Sequence, residues 1–135
     1  MTEYDFSTRT GFQLAMKNAL TTTSLSETKA YAEATVTPTF YHIINGKRVE
    51  YDEWFASLEN WRGKITGYDP VVEEFLRDGD QLAARMTGVL TLDGNETFYE
   101  CFFFAKVDEE SGRLASLTER AVWGQVGKQE VNGST

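Results

Sequence analysis

The sequence predicts an α+β fold in which N-terminal helices cover a curved, mostly antiparallel sheet. Three observations carry this. Apolar residues recur at helical spacing only in the first half of the chain, beginning with Phe12, Ala15, Met16, Ala19 and Leu20. The segment Asp78 to Trp123 reads as three successive strands separated by Gly-containing turns. The chain has 135 residues, 13% of them aromatic, which is enough for one domain with a real core.

The elements follow in order. Asp5 or Ser7 stands near the start of the first helix, and Thr21 to Ser24 separates it from a shorter second helix that carries Tyr31. Ser24-Leu25-Ser26-Glu27 fits a capping box at the start of that helix. Pro38 ends helical possibilities, and Phe40 to Ile44 forms a strand closed by the turn Asn45-Gly46. Trp54, Phe55, Leu58 and Trp61 lie on one face of a third helix, which Gly63 can terminate. Ile65 to Arg77 is strand-like, bent or edge-placed because it contains Pro70. Gln81 to Leu92 stops at Asp93-Gly94-Asn95, a tight-hairpin signature, so Thr97 to Val107 runs back antiparallel to it. Asp108 to Gly112 turns again into a last strand, Arg113 to Gln125. The expected organisation is one domain over residues 1–124 and a loosely held tail over 125–135.

Side chains alternate across a strand. One face of the meander therefore collects Tyr99, Cys101, Phe103 and Ala105 with Leu117, Glu119, Ala121 and Trp123, and the other collects Phe98, Glu100, Phe102 and Phe104 with Thr118, Arg120 and Val122. The preceding strand is expected to add Ala83, Arg85, Thr87 and Val89 to the first face and Leu82, Ala84, Met86 and Leu90 to the second. Neither face is polar enough for water alone, so helices cover one and the other is a second core or a subunit interface.

Composition excludes several classes. A net charge of −8 opposes a nucleic-acid backbone or an anionic membrane as partner. The lone Cys101 cannot form an internal disulfide, and with no apolar leader or membrane-length run the expectation is a soluble protein of a reducing compartment, the cytoplasm. Phosphate-binding loops, dinucleotide fingerprints and zinc-spaced Cys/His clusters are missing, and His42 is the sole histidine, so neither a multi-histidine metal site nor a cofactor is expected.

Three stretches, FYHIINGKRVEYDEWF, GDQLAARMTG and GRLASLTERAVW, together with the element order, resemble the nuclear transport factor 2-like superfamily, in particular its SnoaL-like branch of small cyclases and isomerases. Ketosteroid isomerase is a more distant relative. The resemblance implies a cystatin-like α+β cone: a curved sheet around a pocket that three N-terminal helices close. It implies a concave face holding Arg85, Tyr99, Cys101, Phe103, Glu119 and Trp123, with Tyr31 and Trp54 contributing to substrate binding from the helices. His42 stands about where the family often puts a catalytic base or a substrate-orienting His, and Glu119 is the carboxylate nearest to the Asp that the branch's cyclases use on the last strand. Phe103 stands where a steroid-isomerase-like site needs a protonated acid, which argues against that dienol mechanism.

These residue types suit one chemistry. A carboxylate in an apolar pocket can take and give protons near neutrality, an Arg can stabilise an oxyanion, and a His supplies a second acid or base. Glu119, His42 and Arg85 are thus expected as catalytic residues of a cofactor-independent isomerase, cyclase or hydrolase acting on a small hydrophobic carbonyl compound, polyketide- or terpenoid-like, in secondary metabolism. The other class is a non-catalytic module that binds a hydrophobic ligand or assembles as a dimer. Arg85 and Glu119 are equally readable as a mutually satisfied buried ion pair. A homodimer is expected through the convex face, on Met86, Leu90, Phe98, Phe102 and Phe104.

Overall fold

The computed structural model describes residues 4–125, in which three helices and seven strands follow in the order α1 (Arg9–Ala19), α2 (Leu25–Thr35), β1 (Val36–Ile44), β2 (Lys47–Glu50), α3 (Tyr51–Trp61), β3 (Ile65–Tyr68), β4 (Val71–Asp78), β5 (Gln81–Leu92), β6 (Asn95–Val107) and β7 (Leu114–Gln125). The tail expected from residue 125 lies, beyond Gln125, outside the described residues. No helix among them is long and apolar enough to cross a membrane.

Local chemistry sets the helix ends. Thr8, rather than Asp5 or Ser7, caps α1, its hydroxyl accepting from the Gly11 N–H at 3.0 Å. Ser24 caps α2 by accepting from the Glu27 N–H, and Glu27 reaches back to the N–H and hydroxyl of Thr23, one residue earlier than a standard capping box. Thr35 ends α2 and the chain passes directly into β1, three residues before Pro38. Gly63, at φ +84°, follows α3 as expected.

All seven strands form one sheet in the order β2-β1-β7-β6-β5-β3, with β4 also paired to β5. Every pairing is antiparallel except β1 with β7, which is parallel. Sequence analysis did not anticipate β2, which the Asn45-Gly46 turn folds back onto β1 with Ile44 opposite Lys47. The strand-like segment from Ile65 is two strands, broken at Asp69-Pro70. Val71 to Asp78 pairs with the first half of β5 and Ile65 to Tyr68 with its end, so β5 serves both on the edge opposite β6. The three helices pack over the concave face of this bent sheet, and the core sits between them.

The phase of β5 is the reverse of the expected one. Asp93 and Gly94, both at positive φ, make a two-residue turn that sets Leu92 opposite Asn95. Counting back places Ala84 opposite Phe103, Met86 opposite Cys101 and Arg85 opposite Phe102. Directly opposed residues share a face, so Leu82, Ala84, Met86 and Leu90 line the interior and Ala83, Arg85, Thr87 and Val89 lie outside. The physical reason is that the concave face is the sealed one and takes the more apolar set. Arg85, Met86 and Leu90 are therefore each on the face opposite to the one expected.

Gly88 has its own reason. A Cβ there would sit 2.5 Å from the Tyr99 hydroxyl oxygen and 3.0 Å from the Asp69 carbonyl oxygen, so the strand leaves room for a phenol lying across it. Gly88→Ala should lower unfolding stability by about 1–3 kcal/mol through overpacking. An unchanged denaturation midpoint would show that the phenol moves aside at no cost.

Candidate active site

A cavity of about 170 Å³ lies between the concave face and the helices. Much of its wall is aromatic: Phe103 of β6 is met edge-on at 5.3 Å by Phe12 of α1, and Phe40 of β1 lies 4.8 Å from Trp54 of α3. Trp123 stands 5.8 Å from Tyr99, and Tyr68 at the end of β3 flanks Tyr99 at the same separation.

The polar feature of this wall is a His–Glu pair. The parallel register sets His42 opposite Leu117 and Ile44 opposite Glu119, so His42 and Glu119 are diagonal neighbours on adjacent strands. The His42 Nε2–H donates to Glu119 Oε1 at 2.9 Å, and each side chain is 13% exposed. The contact joins residues 77 apart in sequence and depends on the one parallel pairing in the sheet. In it the imidazole fixes the carboxylate's orientation while both groups border the cavity.

Of the nine expected site residues, eight line the cavity: Glu119, His42, Tyr31, Trp54, Tyr99, Cys101, Phe103 and Trp123. Arg85 does not. It lies on the convex face, where its Nε donates to Glu74 Oε1 at 2.6 Å and its Nη1 to Glu100 Oε2 at 3.0 Å. The buried Arg85–Glu119 pair weighed from sequence is thus not formed. Tyr31 spends its hydroxyl on the Ala15 carbonyl at 2.7 Å, tying α2 to α1, so it contributes its ring and not a donor. Among the described residues no three His, Cys, Asp or Glu side chains converge as a metal site would require.

Sequence reasoning missed Tyr68, Met86 and Leu90 as lining residues. Met86 and Leu90 follow from the Asp93-Gly94 turn once the register is counted. Tyr68 was signalled only by its place just before Asp69-Pro70, where the chain must change direction.

Burial makes the phenols and the thiol weaker acids. Tyr68 and Tyr99 are both held above the ordinary phenol value, mainly by burial. The Cys101 thiol is pushed up by burial first and by the nearby Glu119 second, so it stays protonated where an ordinary thiol ionises. Alkylation of the folded protein by iodoacetamide at about pH 8, near the ordinary thiol value of about 8.5, should therefore be far slower than alkylation of the denatured chain. Equal rates would contradict this environment for Cys101.

No family model and no curated protein sequence matches the chain. Solved structures do. A candidate isomerase from Rhodopseudomonas palustris superposes with a TM-score of 0.66 at 17% identity, over 90% of this chain and 91% of that one. A candidate isomerase of the SnoaL-like family from Agrobacterium tumefaciens gives 0.65 at 12%, over 84% and 96%. An LEH-like epoxide hydrolase of M. tuberculosis gives 0.62 at 17%, over 80% and 77%. At these identities the likeness shows the fold alone: three helices closing a curved, mostly antiparallel sheet, an architecture this chain shares with those structures.

Proposed function

We propose that the protein is a cofactor-independent acid/base enzyme that moves a proton on a small hydrophobic substrate bearing a carbonyl or an epoxide. The observation that carries the reading is the hydrogen-bonded His42–Glu119 pair, 13% exposed on each side, in the wall of a largely apolar cavity. The similar structures, a SnoaL-like candidate isomerase and an epoxide hydrolase among them, agree with it.

The chemistry follows from the pair. Glu119 Oε1 accepts from His42, which leaves Oε2 to take a proton from a carbon beside a carbonyl, or from a water attacking an epoxide carbon. In an isomerisation the C–H pair moves into an enolate, and Glu119 returns the same proton at a neighbouring carbon. In a ring opening, the water oxygen forms the new C–O bond as the epoxide C–O bond breaks, and the released alkoxide takes up the proton that Glu119 removed from the water. In both cases His42 holds the carboxylate in one orientation and offsets its charge. The apolar walls exclude bulk water from the place where the proton is transferred.

All three tryptophans of the chain, Trp54, Trp61 and Trp123, border the cavity, so intrinsic fluorescence reports occupancy. Glu119→Gln keeps the shape and removes the titratable group. On a panel of small cyclic ketones, enones and epoxides it should lose about 10²–10⁴-fold in turnover while fluorescence titrations stay unchanged. Unchanged turnover would leave the binding-module reading.

The assembly proposed with this activity is a homodimer through the convex face. With Met86 and Leu90 inside, the exposed apolar set there is Phe104 at 70%, Leu76 at 72%, Phe102, Val71 and Val89. The same face carries Arg85 between Glu74 and Glu100, with Arg120 opposite Phe102. A two-fold contact would set such mixed charges against their own complements, which favours a second copy over a partner of a single charge sign. The wild type should sediment as a dimer at micromolar concentration and Phe102→Glu as a monomer. A wild-type monomer would remove the proposal.

A further inference from the structure

The proposed chemistry builds negative charge on a substrate oxygen, and Arg85, expected to meet it, is on the other side of the sheet. Another donor must do so. Tyr99 is 1% exposed and lines the cavity, yet its hydroxyl is fully buried without a hydrogen-bond partner. Of the other cavity phenols, Tyr31 of α2 already donates to a backbone carbonyl, and Tyr68 of β3 flanks Tyr99 at a ring separation of 5.8 Å. A buried hydroxyl with no partner is costly, because it has given up water and received nothing in return. The chain also keeps space for it: Gly88 lies directly under the phenol, where any Cβ would collide with it. Burial keeps the phenol protonated, hence a donor.

We infer that Tyr99 is the hydrogen-bond donor for a ligand oxygen in this cavity, and that the ligand class is a small alicyclic compound with one accepting oxygen, a ketone or an epoxide. The inference deepens the proposed function and rests on reading the cavity as a substrate site. Size supports the class. A cavity of about 170 Å³ is smaller than the ~300–1,000 Å³ of pockets that hold drug-sized ligands, which leaves room for a single small ring. The donor and the base come from different strands: Tyr99 is opposite Trp123 on β7, four residues beyond Glu119 on that strand.

The test uses cyclohexanone and its near-isosteric hydrocarbon methylenecyclohexane as probes, titrated by tryptophan fluorescence, with thermal unfolding of the unliganded protein alongside. Tyr99→Phe removes one oxygen atom and keeps the ring. It should weaken cyclohexanone about three- to tenfold, the worth of one hydrogen bond, leave methylenecyclohexane unchanged, and leave the unliganded Tm unchanged or raised. A lowered Tm would mean that the hydroxyl already has a structural partner, and would overturn the inference. So would equal effects on the two probes, or a wild type that binds neither. An oxygen preference that survives in Tyr99→Phe but vanishes in Glu119→Gln assigns the contact to the His–Glu pair and overturns it as well. None of these readouts depends on turnover, so a catalytically silent protein would fail the proposed activity without failing this donor assignment.

Discussion

The Asp93-Gly94 turn fixes which side of the longest hairpin faces the cavity, and the site depends on that choice. A two-residue turn leaves no slack, and a slip by one residue would exchange every side chain of β5 between the faces. The slipped arrangement would send Arg85 inward, away from Glu74 and Glu100, at a cost of several kcal/mol for an uncompensated buried charge. It would also expose Met86 and Leu90, whose burial is worth about 1.5–3 kcal/mol each. Turn geometry, charge and apolar burial agree on one register. With β5 fixed, β6 turns Tyr99, Cys101 and Phe103 inward, β7 follows with Glu119 and Trp123, and the parallel pairing of β1 brings His42 beside Glu119.

The second constraint is the division of β5 between two partners. Pro70 has no N–H to give a ladder, and the chain breaks there, so β3 and β4 reach β5 at different ends. Pairing shifts register within both β3–β5 and β4–β5, and irregularities of this kind bend a sheet. Gly88 falls between the two paired stretches, where the missing Cβ lets the Tyr99 phenol cross β5. The bend that makes the cavity and the space that holds its phenol therefore arise at the same place in the strand order.

Much of this was legible in the sequence. Ser24 and Glu27 marked the start of α2, Gly63 the end of α3, and Asp93-Gly94 the hairpin, because each is a local signal with its own stereochemistry. Eight of the nine expected residues line the cavity, those on β6 and β7 because strand alternation keeps them on one face and Tyr31 and Trp54 because helical spacing turns them toward the sheet. Arg85 was misplaced although the turn that fixes its register had been recognised. Alternation along β5 leaves open which of its two sets shares a face with Tyr99, and only the count from Leu92 opposite Asn95 decides it. Tyr68 could not be found in that way, since its inward position depends on a break at Asp69-Pro70 that joins two strands to one. The His42–Glu119 contact also needed the fold, because no local pattern specifies a parallel pairing between residues 77 apart.

The pair itself bears on what the cavity is for. Desolvating a carboxylate and an imidazole costs free energy that one hydrogen bond between them only partly offsets. Two apolar side chains of similar size would line the same wall without that cost, as Ile44 and Leu117 do on the same two strands. The outer face shows the alternative treatment of charge: Arg85 is bracketed by two carboxylates and stays in partial contact with water. Inside, the carboxylate has one hydrogen-bonded partner and borders the cavity. A purely structural ion pair gains from being fully satisfied, whereas a group that must exchange a proton with a ligand needs an oxygen left over. Glu119 accepts from His42 through Oε1 and borders the cavity, which is the arrangement that the proposed function requires.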